Sequence, residues 1–348
     1  MAALDRVHAL LEGRPVDRVP VYLFAASFGV TQAGYPLPTV YDDPRRSLEA
    51  QLCAQALFGY DSPPYYAYAT YGTWERGEQL AYPSSELRQE PTMPFYPVRS
   101  EEEAETLELP DVTRAGMLPR AMQFSRLQAE HGLPVSVVVG GVFAIAGNIC
   151  GLHRLLVWMV QNPGTVHHLL QMAGDHLGDI VEHWAMAFGA GRLLPVVWES
   201  LATSDVISPA CFEEFVLPYQ KQFHERILAT GVEHILCHIC GEQRRNLPHW
   251  AAIPMGNPGI VSIGHEIDLE EAGRHFPKDI LMGNIEPALV DKGTPEQVYR
   301  STWNCIQKGK KHRGGFILAA GCELAPETPP DNVRKIMQAV NDVGRQCI

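Results

Sequence analysis

Glu233-His234-Ile235-Leu236-Cys237-His238-Ile239-Cys240 is the stretch on which the fold turns. Read as a loop, it offers Cys237 and Cys240 as a CxxC pair of the redox or structural-zinc kind, but no second CxxC and no thioredoxin-like context accompanies it. Read as a strand, it alternates its side chains, so that His238 and Cys240 face one way and Cys237 the other. Its neighbours favour the strand. Similar β-rich apolar runs lie at Val19 to Phe24, Pro64 to Tyr68, Pro134 to Gly140, Leu194 to Glu199, Ile260 to Glu266, Ile280 to Ile285 and Gly315 to Cys322. The later runs close on small or polar residues, as strand ends do.

Helical periodicity separates most of these runs, most clearly over Pro163 to Phe188, Ser208 to Thr230, Thr294 to Gly309 and Pro330 to Val343. Thr294-Pro295-Glu296 shows the start signal well: a hydroxyl to cap the helix, a proline suited to its first position, and an acid at the positive end of the dipole. Eight runs alternating with helices predict an α/β chain, a (β/α)8 TIM barrel forming a single domain over residues 1–348. The 348 residues suit a barrel with insertions, since about 250 or more are commonly needed. An N-terminal helical extension precedes the first run. The stretch from Trp74 to His131 fits the alternation least and reads as an insertion between the second and third strands. Its acidic run, Glu101 to Glu105, reads as a solvated helix face.

Hydrophobic content of 46% and charged content of 20% describe an ordinary folded chain. A net charge of -12, from 28 Lys+Arg against 40 Asp+Glu, leaves no sequence-wide basic field for nucleic acid or anionic lipid. The N-terminus lacks the basic start and unbroken apolar run of a signal peptide. The longest apolar stretches, such as Val135 to Ala146, are interrupted by glycine and fall short of the roughly 20 residues a bilayer needs. A cytoplasmic protein without a membrane or nucleic-acid partner is therefore expected. Eight cysteines scattered through the chain make no disulfide framework, and in a reducing compartment clustered Cys and His read as metal ligands or reactive groups.

With His238 and Cys240 facing inward together, a third ligand is needed. Cys322 supplies one at the end of the last run, where barrel closure gathers the C-terminal strand ends. Two thiolates and an imidazole suit zinc, and three protein ligands with an exchangeable fourth position describe a catalytic site. The competing reading is a hydrogen-bonded core histidine with two small buried cysteines.

The C-terminal half resembles the uroporphyrinogen decarboxylase superfamily, and within it the zinc-dependent, corrinoid-linked methyltransferases. The likeness is carried by Ser208-Pro209 through Phe215-Val216-Leu217-Pro218-Tyr219, by His238-Ile239-Cys240-Gly241, by Gly283-Asn284-Ile285-Glu286-Pro287, and by Gly315-Phe316-Ile317-Leu318 through Gly321-Cys322-Glu323 to Thr328-Pro329-Pro330-Asp331-Asn332-Val333. Asp17-Arg18-Val19-Pro20-Val21 and Phe58-Gly59-Tyr60-Asp61 extend it nearly end to end. The resemblance implies the same (β/α)8 barrel. It also separates two activities. A true decarboxylase carries an Arg-Gln-Ala-Gly-Arg signature after the first strand, because a substrate with many carboxylates needs guanidinium partners. This chain reads Leu23-Phe24-Ala25-Ala26-Ser27-Phe28-Gly29 there, and Tyr68-Ala69-Thr70-Tyr71-Gly72-Thr73 where the decarboxylase's Phe-Ser-Asp motif belongs. The methyltransferase branch carries a His-x-Cys pair and a distant Cys as zinc ligands, positions filled here by His238, Cys240 and Cys322.

The resemblance thus implies a zinc enzyme moving a methyl group between a small methylated substrate and the cobalt of a corrinoid. No Asp-x-His-x-x-Gly run occurs in the chain, so the corrinoid (cobalamin) must arrive on a separate protein docking at the barrel mouth, or free. An O-demethylase type acting on a methoxy or other methylated small molecule, a methoxyaromatic among the candidates, leads. Methyl transfer to a thiol of the coenzyme M type is the alternative, and a decarboxylase-like lyase comes third. For a fourth zinc ligand, Glu266 is the first choice and His265 the second, against a solvated acid and a surface histidine. Glu199 can orient substrate or act as general acid, or serve a structural ion pair. Asn284 can hydrogen-bond substrate or support the ligands, or simply make a turn. Tyr65, Tyr66, Tyr68, Tyr71 and Trp74, with Phe143 and Trp198, can form an aromatic pocket, or pack as core. Cys53, Cys150, Cys211, Cys305 and Cys347 read as structural.

Overall fold

Six of the eight apolar runs pair into one parallel sheet. In the computed structural model, which describes residues 1, 3–66 and 95–345, the strands are β1 (Val135–Gly140), β2 (Leu193–Glu199), β3 (Leu236–Ile239), β4 (Ile260–Ile263), β5 (Ile280–Ile285) and β6 (Phe316–Ala320). They lie in chain order, each parallel to the next. A parallel return must cross the full length of the sheet. Helices make the crossings, among them Pro163–Phe188 before β2, Leu217–Ala229 before β3 and Pro295–Gly309 before β6. Strands covered in this way are apolar on both faces, and every residue of β1, β3, β4 and β6 is buried.

The first two runs take up barrel positions without becoming regular strands. Val21 makes a parallel bridge to Leu318, with Tyr22 N donating to Leu318 O at 2.9 Å and Leu318 N to Pro20 O at 2.9 Å. On the other side side chains replace much of the ladder. Asp61 Oδ2 accepts from Val21 N at 2.8 Å, and Ser62 Oγ accepts from Leu23 N at 3.2 Å while donating to Leu23 O at 2.9 Å. Pro20, Pro63 and Pro64 have no N–H to give, which explains why a regular ladder does not form. Residues 67–68 of the second run lie outside the described residues. The result is a (β/α)8-type barrel in which two of the staves are irregular.

The N-terminal extension forms the helix Ala3–Leu11. Its Arg6 reaches the fully buried Asp61 at 3.0 Å, beside Arg18 at 2.7 Å, so two guanidiniums compensate the buried carboxylate. Of the insertion, the described part contains the helices Glu101–Glu105 and Leu118–Glu130. The single helix expected over Ser208 to Thr230 is two, Pro209–Phe215 and Leu217–Ala229, broken at Val216. Pro218 is the cause, since it removes a donor and its ring collides with the carbonyl four residues earlier. The helix Pro295–Gly309 starts on a full capping box between Thr294 and Gln297. Among the described residues, no single helix is long and apolar enough to cross a membrane.

Candidate metal centre

Register carries one layer of side chains across the sheet. Trp198 pairs with His238, and His238 with Ser262. His238 is 5% exposed, and its ring meets Phe24 edge-on at 5.6 Å. Its Nδ1 lies 2.9 Å from Ser262 Oγ, whereas Nε2 is buried with no hydrogen-bond partner among the described residues. That nitrogen is placed as a metal-ligating nitrogen would be, because a partner on Nδ1 leaves the Nε2 lone pair free.

Cys240 follows β3, with its amide donating to Glu199 O at 3.2 Å. Cys322 follows β6. The ligand atoms of His238, Cys240 and Cys322 all lie within 4.8 Å of one another at the C-terminal strand ends. The hydrogen bond with Cys240 and burial push the Cys322 thiol above its ordinary range, and the imidazole of His238 opposes them. A cation among these groups would reverse that balance, since a coordinated thiol loses its proton. Two sulfurs and one imidazole, whose Nε2 has no hydrogen-bond partner among the described residues, fit zinc. Cys237, within the same strand, is fully buried and stands outside this group, so the CxxC pair does not act as one unit.

The remaining sequence candidates fall in different places. Glu266 and His265 follow β4, beside each other with His265 Nδ1 3.5 Å from Glu266 Oε2, and neither joins the group within 4.8 Å. Glu199 ends β2 and is fully buried on backbone amides rather than in an ion pair. Its Oε2 accepts from Ala144 N at 3.1 Å, and its Oε1 from Leu201 N at 3.0 Å and Ala202 N at 3.1 Å. Burial pushes its carboxyl up and those amides pull it back. Asn284 Nδ2 donates to the carbonyls of Gly264 and Ile267.

Of the aromatic residues, Tyr65 and Trp198 meet near the ligands, both edge-on to Phe24 at 5.9 and 5.5 Å. Tyr66 packs on Phe124 instead, and Phe143 is fully buried core. Tyr68, Tyr71 and Trp74 lie outside the described residues. Cys150 and Cys305 are buried, Cys211 is partly buried, Cys53 is exposed, and Cys347 lies outside the described residues. Sequence reasoning missed Phe24 and Ser262. Ser262 left a signal: it is the polar member of Ile260-Val261-Ser262-Ile263, on the alternation that faces His238.

Residues 2–343 match the family described as Uroporphyrinogen decarboxylase (URO-D). The chain belongs to that family. A methylcobamide:CoM methyltransferase, MtbA, of Methanosarcina mazei is 23% identical, covering 97% of each chain. A uroporphyrinogen decarboxylase of Anaeromyxobacter is also 23% identical, over 96% of this chain and 98% of its own. A solved structure described as a methyltransferase from Methanosarcina mazei superposes with a TM-score of 0.83 at 19% identity, covering 98% of this chain and 99% of its own. That likeness establishes the barrel fold. Family membership alone leaves two chemistries open, so the site residues must discriminate between them.

Proposed function

We propose that this protein is a zinc-dependent methyltransferase that moves a methyl group from a small methylated substrate, a methoxyaromatic compound being one candidate, to the cobalt of a corrinoid carried by a separate protein. The observation that carries this reading is the convergence of His238, Cys240 and Cys322 at the mouth of the barrel. A zinc ion held there would supply Lewis acidity, stabilising negative charge on an oxygen leaving group or on a thiolate nucleophile.

The chain's own residues do the positioning. Ser262 holds His238 at Nδ1, so that Nε2 is the ligand atom. Phe24, Tyr65 and Trp198 form an aromatic floor beside His238, against which a methoxylated ring can pack edge-on or offset. Glu199 keeps the backbone around Ala144 and Leu201 in place beneath the strand ends. Glu266, on the turn after β4, is the candidate fourth ligand. The corrinoid protein docks at the same mouth, because the acceptor must reach the methyl group.

Transfer from a methyl-corrinoid to a thiol is the second reading, favoured by the end-to-end match to a relative named for coenzyme M. Decarboxylation of a porphyrinogen is disfavoured, since the apolar Phe24 packs against His238 within the segment where the Arg-rich signature belongs. The test is metal content of the purified protein, of His238→Ala and of Cys322→Ala, followed by methyl transfer to Co(I) cobalamin across a methoxyaromatic panel. One zinc per chain, lost in both variants, with substrate-dependent methylcobalamin is the expected result. Zinc without demethylation would favour the thiol reading, and a metal-free wild type would sink the site.

A further inference from the structure

The turn after β4 is wedged between the two strand ends that carry the cysteines. A Cβ on Gly264 would lie 3.1 Å from the backbone nitrogen of Gly241, the residue after Cys240, and would collide with Glu266 Oε2. A Cβ on Gly321, the residue before Cys322, would lie 2.7 Å from the backbone nitrogen of His265. Hydrogen in place of a side chain is what lets these backbones approach so closely. In the wedge, Glu266 Oε2 is buried, with His265 Nδ1 3.5 Å away and no contact of hydrogen-bond geometry among the described residues. A buried carboxylate oxygen without a well-formed hydrogen bond is costly, so the surrounding structure must hold it there.

Asn284, at the end of β5, is the residue that does so from the side covered by the helix Pro295–Gly309. Its Nδ2 donates to Gly264 O at 3.0 Å and to Ile267 O at 2.6 Å, which commits both amide hydrogens to the carbonyls flanking His265 and Glu266. The residue is itself held: its backbone N donates to Cys305 Sγ at 3.0 Å, and the Cys305 thiol lies 3.5 Å from its Oδ1. From outside, Arg244 Nη2 donates to Glu266 O at 3.1 Å.

We propose that Asn284 is a positioning residue of the metal centre: by gripping the two carbonyls on either side of His265-Glu266, it fixes the Glu266 carboxylate between the strand ends of Cys240 and Cys322. This rests on the metal reading above and assigns a role that the ligand set alone does not contain. Glu266 then stands as a carboxylate kept close to the ligand group, and Asn284 acts on the metal only through that turn.

Asn284→Ala removes both donors, and Asn284→Asp sets a carboxylate against two carbonyl oxygens. The measurements are zinc affinity by chelator competition and the ligand-field spectrum after loading with Co(II), beside far-UV circular dichroism and Tm. A folded Asn284→Ala should bind zinc about 10- to 100-fold more weakly with an altered Co(II) spectrum, and Asn284→Asp should do worse. Gly264→Ala leaves the Asn284 bonds in place but pushes the Glu266 carboxylate aside, and it should change the Co(II) spectrum as well. Wild-type affinity and an unchanged spectrum in a folded Asn284→Ala would overturn the proposal even if Tm fell. An unchanged spectrum in Gly264→Ala would overturn it too, including where Asn284→Ala does not fold. A wild type that binds no zinc would remove the metal reading itself, and the two failures are thereby told apart.

Discussion

His238 and Ser262 stand in register on adjacent strands, with imidazole Nδ1 2.9 Å from the serine hydroxyl and Nε2 left without a partner. A ligating histidine is commonly held through its other nitrogen, and removal of such a support typically costs about 10- to 100-fold in metal affinity. Ser262→Ala should therefore weaken zinc binding by about that factor, and should also lower Tm, because the buried Nδ1 of His238 is left without its partner. Chelator competition on the folded variant is the check, and wild-type affinity would count against Ser262 as the support.

The two cysteines of Cys237-His238-Ile239-Cys240 should behave oppositely. Cys237 is fully buried, and burial pushes its thiol well above the ordinary range, so it is an inert packing group. Cys237→Ala should keep the metal and lose stability of about 1 kcal/mol, the scale of deleting one small buried group. Cys240→Ala should lose the metal. Equal metal loss in both variants would restore the CxxC reading.

A histidine outside the candidate ligand group should shape the acid stability of the fold. Val142 N donates to Gln220 Oε1 at 2.9 Å, Gln220 Nε2 donates to His224 Nε2 at 2.9 Å, and His224 Nδ1 therefore donates to Pro254 O at 2.9 Å. That chain specifies the neutral imidazole, and burial lowers the His224 pKa to about 4 from an ordinary value of 6.5. The unfolded chain takes up a proton below the ordinary value and the folded chain does so only near the lower one. Stability is thus fully present above the ordinary value and is lost as pH falls between the two. The loss is on the order of 3 kcal/mol. Denaturant unfolding of wild type and His224→Gln between pH 7.5 and pH 4.5, values chosen to bracket most of that window, should show a steeper decline in the wild type. Parallel slopes would exclude His224 as the source.

Much of this protein was legible in its sequence because the relevant rules are local. Alternation in 236–239 places His238 and Cys237 on opposite faces from residue order alone, and the Thr294 capping box needs no partner elsewhere in the chain. Period and apolar content identified the six buried strands, since parallel strands under helices must be apolar on both faces. The two N-terminal runs carried the same apolar signal, yet whether they form a regular ladder depends on which groups lie opposite. Asp61 and Ser62 occupy those positions and present side-chain oxygens to Val21 and Leu23. Pro218 was present in a periodic stretch whose pattern masked the break at Val216.

Residue types alone determined that this chain could carry a soft, sulfur-rich metal site on an α/β barrel. Only the tertiary structure decided how that site is supported. Closure brings Cys322 beside a pair more than 80 residues earlier in the chain, sets Ser262 on His238, and seats the Glu266 turn between two glycines under the hold of Asn284. Such contacts join groups distant in the chain, and their distances and donor geometry come from how strands register and helices pack, which no local periodicity encodes.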